Sequence, residues 1–394
     1  MKYLIALFVL LFYPGMFAQQ WQQVQDFPGS GRDDGTVFVL GNKAFCGLGM
    51  NPWFGCNSDF YVFDMTSETW SSVASMPEGE ERQYACGFAH NGSGYVFGGV
   101  NGSGGYLNDL WRFDPVVNAW TEETPLPGTG RAGAVCFVLN DTVYIVGGKT
   151  ATVQAMTEVW SYDLSSHSWM QKADIPFGGI WRGVAFSHAA KGIVGLGKDP
   201  QGVLYGDFHQ YFPDQDSWQP IPGLSMEGTT YTAASQTGSK AILYGGMDAS
   251  GMYLNTFTRI DLETFETHLL TSFPSEARRG GMAFSGNDAF YLATGVSATG
   301  RLNETWKAGQ VLTVADNKAI NPLVCPNPSQ GSFQVVSTEM IRQITISDLS
   351  GKSFYYNVYH TSVATVEVKL SAGVWLLEVQ GEKTSSIVKL VIGN

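Results

Sequence analysis

Six arginines sit in short loops that recur along this 394-residue chain: Arg32, Arg82, Arg131, Arg182, Arg278 and Arg279. The loops run from Pro28 to Gly35, Pro77 to Tyr84, Pro127 to Ala134, Pro176 to Gly183, Pro222 to Tyr231 and Pro274 to Gly281, and hold no lysine. A guanidinium fork grips a carboxylate through two parallel hydrogen bonds. Trp181, Tyr84 and Tyr231 lie in the same loops, and their faces suit stacking against a sugar or peptide. The chemistry on offer is recognition of an anionic or glycan-like ligand. A second loop set adds Trp53 and Phe54 in Asn51-Pro-Trp-Phe, with Tyr106, Met156, Tyr205, Tyr253 and Arg301. The candidate ligand residues are therefore Arg32, Arg82, Arg131, Arg182, Glu227, Tyr231, Arg278, Trp181, Tyr84 and Trp53.

A structural role for the same arginines stays open. Two guanidinium groups roughly 8 Å apart repel by about 2 kcal/mol at an effective dielectric of 20, so a ring of them needs counter-charge. The loops themselves supply Asp33, Asp34, Glu78, Glu80, Glu81, Glu227 and Glu276. The fifth loop, Met226-Glu-Gly-Thr-Thr-Tyr231, breaks the series and puts Glu227 where arginine otherwise recurs. Asymmetry of that kind is what a site on a repetitive scaffold requires.

Other chemistries find little support. Histidines 90, 167, 188, 209, 268 and 360 fall at scattered offsets without metal-ligand spacing. No Gly-x-Ser-x-Gly, His-Glu-x-x-His, phosphate loop or calcium loop occurs, so no cofactor and no metal are expected. A net charge of -12 leaves no basic surface to displace phosphate counterions, which argues against nucleic acid and against anionic membranes. Cys46 and Cys56 flank one loop and could pair, whereas Cys86 and Cys136, at nearly equivalent places in adjacent repeats, read as buried thiols.

The elements that position these loops are copies of one another. Trp21, Trp70, Trp120, Trp169 and Trp218 recur every 49 or 50 residues, as do Gly49, Gly99, Gly148, Gly197, Gly246 and Gly295. An acidic position runs Asp59, Asp109, Glu158, Asp207 and Glu304, weakening to Asn255 in the fifth copy. Each copy divides into four short extended segments bounded by Gly, Asn and Pro. Four strands per copy, repeated radially, make a propeller blade. The Gly-Gly pair, the Tyr-Asp six residues before Trp and the period resemble the kelch repeat, over about Trp21 to Gln310. The sixth copy lacks its closing Trp segment, while the chain carries that segment alone at Trp21-Gln-Gln-Val. The expectation is a six-bladed propeller whose N-terminal strand completes the last blade.

After about residue 313 the period stops. Cys325-Pro-Asn-Pro-Ser-Gln-Gly-Ser-Phe333, Asp348-Leu-Ser-Gly-Lys352, Leu370-Ser-Ala-Gly-Val-Trp375 and Lys389-Leu-Val follow in order. These resemble the C-terminal sorting domain of the type IX secretion system (type A), although Cys325 and Trp375 stand where tyrosine is usual. The resemblance implies a small β-sandwich, recognition by secretion machinery, and release or surface attachment. Residues 1–18, with Lys2 before an apolar run and Ala18 before Gln19, read as a secretory signal peptide. No other window approaches 18 apolar residues, so no transmembrane segment is expected.

The expected organisation is all-β: signal peptide 1–18, six-bladed kelch-type propeller 19–312, linker 313–324 and sorting sandwich 325–394. The expected function is an exported, monomeric binding or adhesion module for a protein or glycan at the axial loop face, on the outer surface of, or released from, a Gram-negative bacterium. The alternative rests on resemblance to secreted six-bladed kelch proteins that include N-acetylneuraminate epimerases. It is a cofactor-independent sugar epimerase or mutarotase, with Glu227 as acid/base and Arg182 or Arg278 as carboxylate clamp.

Overall fold

A computed structural model describes residues 21–270, 273–309, 323–348, 352–380 and 385–393. The signal-peptide reading and most of the linker lie outside these residues. The chain divides into two compact units, Met1–Leu312 and Thr313–Asn394. Among the described residues there is no helix long and apolar enough to cross a membrane, which says nothing of a β-barrel.

The first unit is a six-bladed propeller. Each blade is an antiparallel sheet of four strands, in chain order in the first five, and the second carries a two-residue fifth strand, Arg82–Gln83. The inner strands are Thr36–Leu40, Cys86–His90, Val135–Leu139, Val184–His188, Ala233–Thr237 and Met282–Gly286. They neighbour one another in a closed circle about the axis. The sixth blade is completed by Trp21–Gln23, which pairs antiparallel with Thr305–Gly309. No blade is left with a bare edge towards a missing seventh.

Burial follows from sequence alternation. Apolar residues of the two middle strands of each blade face the adjacent blade, giving six separate inter-blade cores. Phe27, Phe63, Trp70, Phe284 and Tyr291 lock blade six to blade one. The repeated tryptophans staple blades by a polar bond as well as by area. Trp70 Nε1 donates to the Gln25 carbonyl at 3.0 Å, Trp120 to Ala74 at 2.9 Å, Trp169 to Thr124 at 2.8 Å and Trp218 to Ala173 at 3.1 Å.

Glycine has a specific task where one blade meets the next. Gly99, with φ of 105°, donates its N–H to the Arg131 carbonyl of the following blade at 2.9 Å. A Cβ there would lie 2.7 Å from the Gln83 carbonyl oxygen, so a side chain meets both a strained φ and a clash. The other five copies of this glycine make the same bond to the next blade, closing a hydrogen-bonded ring.

The described residues of the second unit form one five-stranded sheet. Ser332–Ser347 is central and pairs with Leu323–Cys325, Ser353–Glu367 and Gly373–Gln380, while Ser385–Ile392 pairs with Gly373–Gln380. Its register breaks between Val336 and Ile341, so the two halves of the long strand serve two parts of the sheet. Phe333, Ile344, Ile346, Val366, Trp375, Leu377 and Leu390 form its core.

Candidate functional site

Four of the repeated arginines are not at the axis. Arg32, Arg82, Arg131 and Arg278 are fully buried at the roots of their own blades. All four fill the same slot in the same way. The Nε donates to the carbonyl two residues back, at 3.0 to 3.2 Å. Nη1 donates to the carbonyl sixteen residues on, of Leu48, Gly98, Gly147 or Thr294. The fork then meets the blade's acidic residue, at 2.6 Å for Asp59, 2.7 Å for Asp109, 2.8 Å for Glu158 and 2.6 Å for Glu304. Every strong donor direction is spent inside the protein, so the expectation that these four hold a ligand is corrected to a structural role. A buried guanidinium that lost its carboxylate would be left as an uncompensated charge.

Arg182 does not belong to that series. The slot arginines precede their blade's ring glycine by seventeen residues, whereas Arg182 precedes Gly197 by fifteen. In blade four the slot is occupied by the buried Ile180, and Asp207, in the acidic position, is exposed. Arg182 instead belongs with Asp34, Tyr84, Gly133, Tyr231 and Gly280. All six adopt the left-handed conformation, with φ from 58° to 64°. Each donates its N–H to the carbonyl of its counterpart in the preceding blade, at 2.8 to 3.4 Å, and the circuit closes when Asp34 donates to Gly280. The axis is thus ringed by a collar of six hydrogen bonds, with four non-glycine residues held in a costly conformation. Strain of that kind costs on the order of 1–3 kcal/mol per residue and gathers at functional sites.

The collar is filled asymmetrically. Arg182 of blade four reaches across to the Asp34 carboxylate of blade one, which lies opposite in a ring of six. Tyr84 and Tyr231, a second opposed pair, flank its guanidinium at 4.7 and 4.4 Å from the ring centres. Glycine occupies the remaining two positions because nothing larger fits. A Cβ on Gly133 would lie 2.4 Å from Trp181 Nε1, and one on Gly280 would lie 2.6 Å from Asp34 Oδ1.

Around this plug the mouth is cationic. Arg279 Nη1 lies 3.3 Å from Asp34 and 3.5 Å from Asp33, and its guanidinium stacks 4.2 Å from the Tyr231 ring centre. Arg301 donates to Asp33 at 2.5 Å and covers the Phe54 ring. Lys149 lies over the Trp181 ring at 4.8 Å, with Lys198 at 5.9 Å. Among the described residues neither lysine forms a salt bridge. Burial, then the nearby positive charges of Arg279 and Lys149, pull Lys198 below the usual lysine range. Burial, with Asp33 beside it, pushes Asp34 up to about 6 against the opposing pull of Arg182 and Arg279. Burial also raises Tyr84 and Tyr231. A cleft of about 570 Å³, lined by Met247, Met252, Tyr253 and Ala298, adjoins Arg279 and Tyr231.

Of the residues expected from sequence, the structure brings together Arg182, Trp181, Tyr84 and Tyr231. Trp53 is 79% exposed in the outer loop of blade one. Glu227 is exposed and lines a separate cavity in blade five with Thr229, Thr256 and Thr258. Arg182 is bonded to Asp34 and Arg278 to Glu304, so the grouping of Glu227 with either is not seen. Asp34, Arg279, Lys149 and Lys198 complete the site. The signal for the collar was present in the constant fifteen-residue spacing to the ring glycine, which groups Asp34 with Tyr84 and Arg182. All five cysteines are free thiols. Among the described residues no cluster of three or more His, Cys, Asp or Glu could hold a metal ion.

Residues 35–228 match the KLHDC2/KLHL20/DRC7 Kelch-repeats domain, and residues 323–393 match the Secretion system C-terminal sorting domain. The chain is 31% identical over 138 residues to N-acetylneuraminate epimerase of Haemophilus influenzae (strain PittEE), covering 33% of this chain and 35% of that protein. It is 32% identical over 110 residues to Kelch domain-containing protein 3 of Homo sapiens, covering 25% and 28%. The chain thus spans about a third of the length of these curated relatives. The solved structure of YjhT superimposes with a TM-score of 0.58 at 20% identity, covering 72% of this chain and 96% of the other, which establishes likeness of fold.

Proposed function

We propose that this chain, a kelch-repeat propeller bearing a type IX sorting domain, is an exported binding module that holds an acidic glycan at its axial mouth. The sorting domain implies secretion or display at the cell surface, and a signal peptide at residues 1–18 would begin that route. One observation carries the ligand assignment. On a chain of net charge -12, Lys149 and Lys198 sit half-buried beside Arg279 without a carboxylate partner. Arg279 has Asp33 and Asp34 for partners, whereas the two lysines have no anion of their own, and a carboxylate at this point would relieve the repulsion among the three cations. Trp181, Tyr231 and Tyr253 provide faces on which a sugar ring can stack.

A second reading is catalysis of sugar epimerisation or mutarotation without a cofactor. Asp34, lifted to about 6 and enclosed by Arg182, Arg279, Tyr84 and Tyr231, is suited to exchanging a proton near neutral pH. The relatives named N-acetylneuraminate epimerase favour the same reading. Titration of the purified chain with N-acetylneuraminate and with its methyl ester tests both. The acid is expected to bind at least tenfold more tightly than the ester, and equal binding would overturn the mouth assignment. Saturation-transfer NMR on the bound sugar then separates the readings: accelerated anomeric exchange that is lost in Asp34→Asn marks an enzyme, and unaccelerated exchange marks a binder.

A further inference from the structure

Blade five keeps an arginine slot without an arginine. The position seventeen residues before Gly246 is Thr229. The acidic position that faces the guanidinium elsewhere is Thr256 and not Asn255 as the repeat suggested. Asn255 takes the place of Asn108, each donating to the carbonyl eighteen residues on. Thr258 stands where Trp111, Trp160 and Trp306 donate to the blade carboxylate in the slotted blades. The short side chains leave a cavity of about 120 Å³, lined by Thr229, Thr256, Thr258, Gly245, Leu254 and Glu227. Blade four meets the same loss differently, filling its slot with Ile180.

The cavity retains acceptors placed for a guanidinium. Gly245 supplies the carbonyl sixteen residues on, the counterpart of Leu48, Gly98, Gly147 and Thr294. Glu227 stands two residues before Thr229, as Glu80 stands two before Arg82, and there the Glu80 carboxylate bonds directly to the slotted guanidinium. Blade five has therefore lost the arginine and the inner carboxylate while keeping the carbonyl and a carboxylate at the rim. Threonine hydroxyls take the place of the inner acceptor, and Thr229 and Thr232 meanwhile bond to each other at 2.8 Å.

We infer that this cavity is a binding site for the arginine side chain of a partner polypeptide, entering past Glu227. The chain supplies its own guanidinium to the same framework four times, so the required geometry is displayed within the molecule. A lysine ammonium would not match it, because a single point charge cannot meet a rim carboxylate and a deep carbonyl through a planar fork. The site is separate from the anion-binding mouth, whose cations would repel such a partner.

The test uses N-acetyl-arginine amide and its neutral isostere N-acetyl-citrulline amide, titrated into the purified full-length chain at low ionic strength and followed by NMR. The arginine probe is expected to bind at least tenfold more tightly than the citrulline probe. Glu227→Gln should weaken it about tenfold, and Thr229→Arg should abolish binding by filling the slot from within. Because Thr229 is buried, the exposed-site variant Glu227→Lys provides the same loss without a change in the core. Equal binding of the two probes, no detectable binding of either, or full binding retained in both Thr229→Arg and Glu227→Lys would overturn the inference. N-acetylneuraminate binding at the mouth is read in the same samples and should be unchanged.

Discussion

Arg131 and Arg182 look like successive members of one series, yet they lie in two different parts of the molecule. Arg131 is enclosed at the root of blade three, bonded to Thr129, Gly147 and Glu158. Arg182 lies at the axis, flanked by tyrosines and paired with an aspartate from the opposite blade. A shift of two residues along the chain separates them. The difference teaches that the blade roots carry the repeat's stability, whereas the collar carries its individuality. Root slots are filled from within one blade and so recur, while collar residues meet across the axis and must differ for their side chains to fit.

The sharpest way to break this comparison is to remove a root arginine. Arg131→Ala empties a fully buried slot and removes the bonds to Thr129, Gly147 and Glu158, so unfolding in denaturant should show a loss of about 2–5 kcal/mol. A loss below about 1 kcal/mol would remove the role assigned to the roots. Gly133→Ala tests the collar's packing. The added methyl group meets Trp181 and the left-handed φ together, and a cost of about 1–3 kcal/mol is expected in the same assay.

Asp34 gives the collar a pH signature opposite in sign to that of Glu158 and Glu304 at the roots, which burial pushes up but bonds to their arginines hold below the usual carboxylate range. The pKa of Asp34 is raised from an ordinary 3.8 to about 6. The folded protein thus holds this proton more tightly than the unfolded chain does. The contribution of Asp34 to stability should fall as pH rises from about 4 to 6 and then level off. Comparing Tm across that window for wild type and Asp34→Asn checks this, and an identical slope in both would place the titration elsewhere. The smallest effect on stability is expected at Lys198. Its replacement by alanine should change stability by less than about 0.5 kcal/mol while weakening acidic-sugar binding and its salt dependence.

Much of the architecture was legible because a blade is a local object. The 49-to-50-residue recurrence of Trp70, Trp120 and Trp169 announced the repeat, and the isolated segment at Trp21 pointed to how the last sheet is completed. The root slots were half legible: arginine and acid could each be seen, but their pairing needed the third strand to return beside the loop. The mouth was least legible. Trp181, Tyr84 and Tyr231 could be picked out by type, whereas Lys149 and Lys198 sit in a different loop set and resemble ordinary surface lysines. Glu227 does mark an asymmetry of the repeat, but its neighbours include the threonines of its own blade.

Sequence alone determined the number of blades, the strand pattern within each and the sorting domain at the C-terminal end, because each depends on motifs read along tens of residues. Only the tertiary structure decided which arginines are structural and which faces the axis. Closing the ring sets Asp34 opposite Arg182, residues 148 positions apart. The shared fifteen-residue spacing groups the two positions, but only closure shows that their side chains meet.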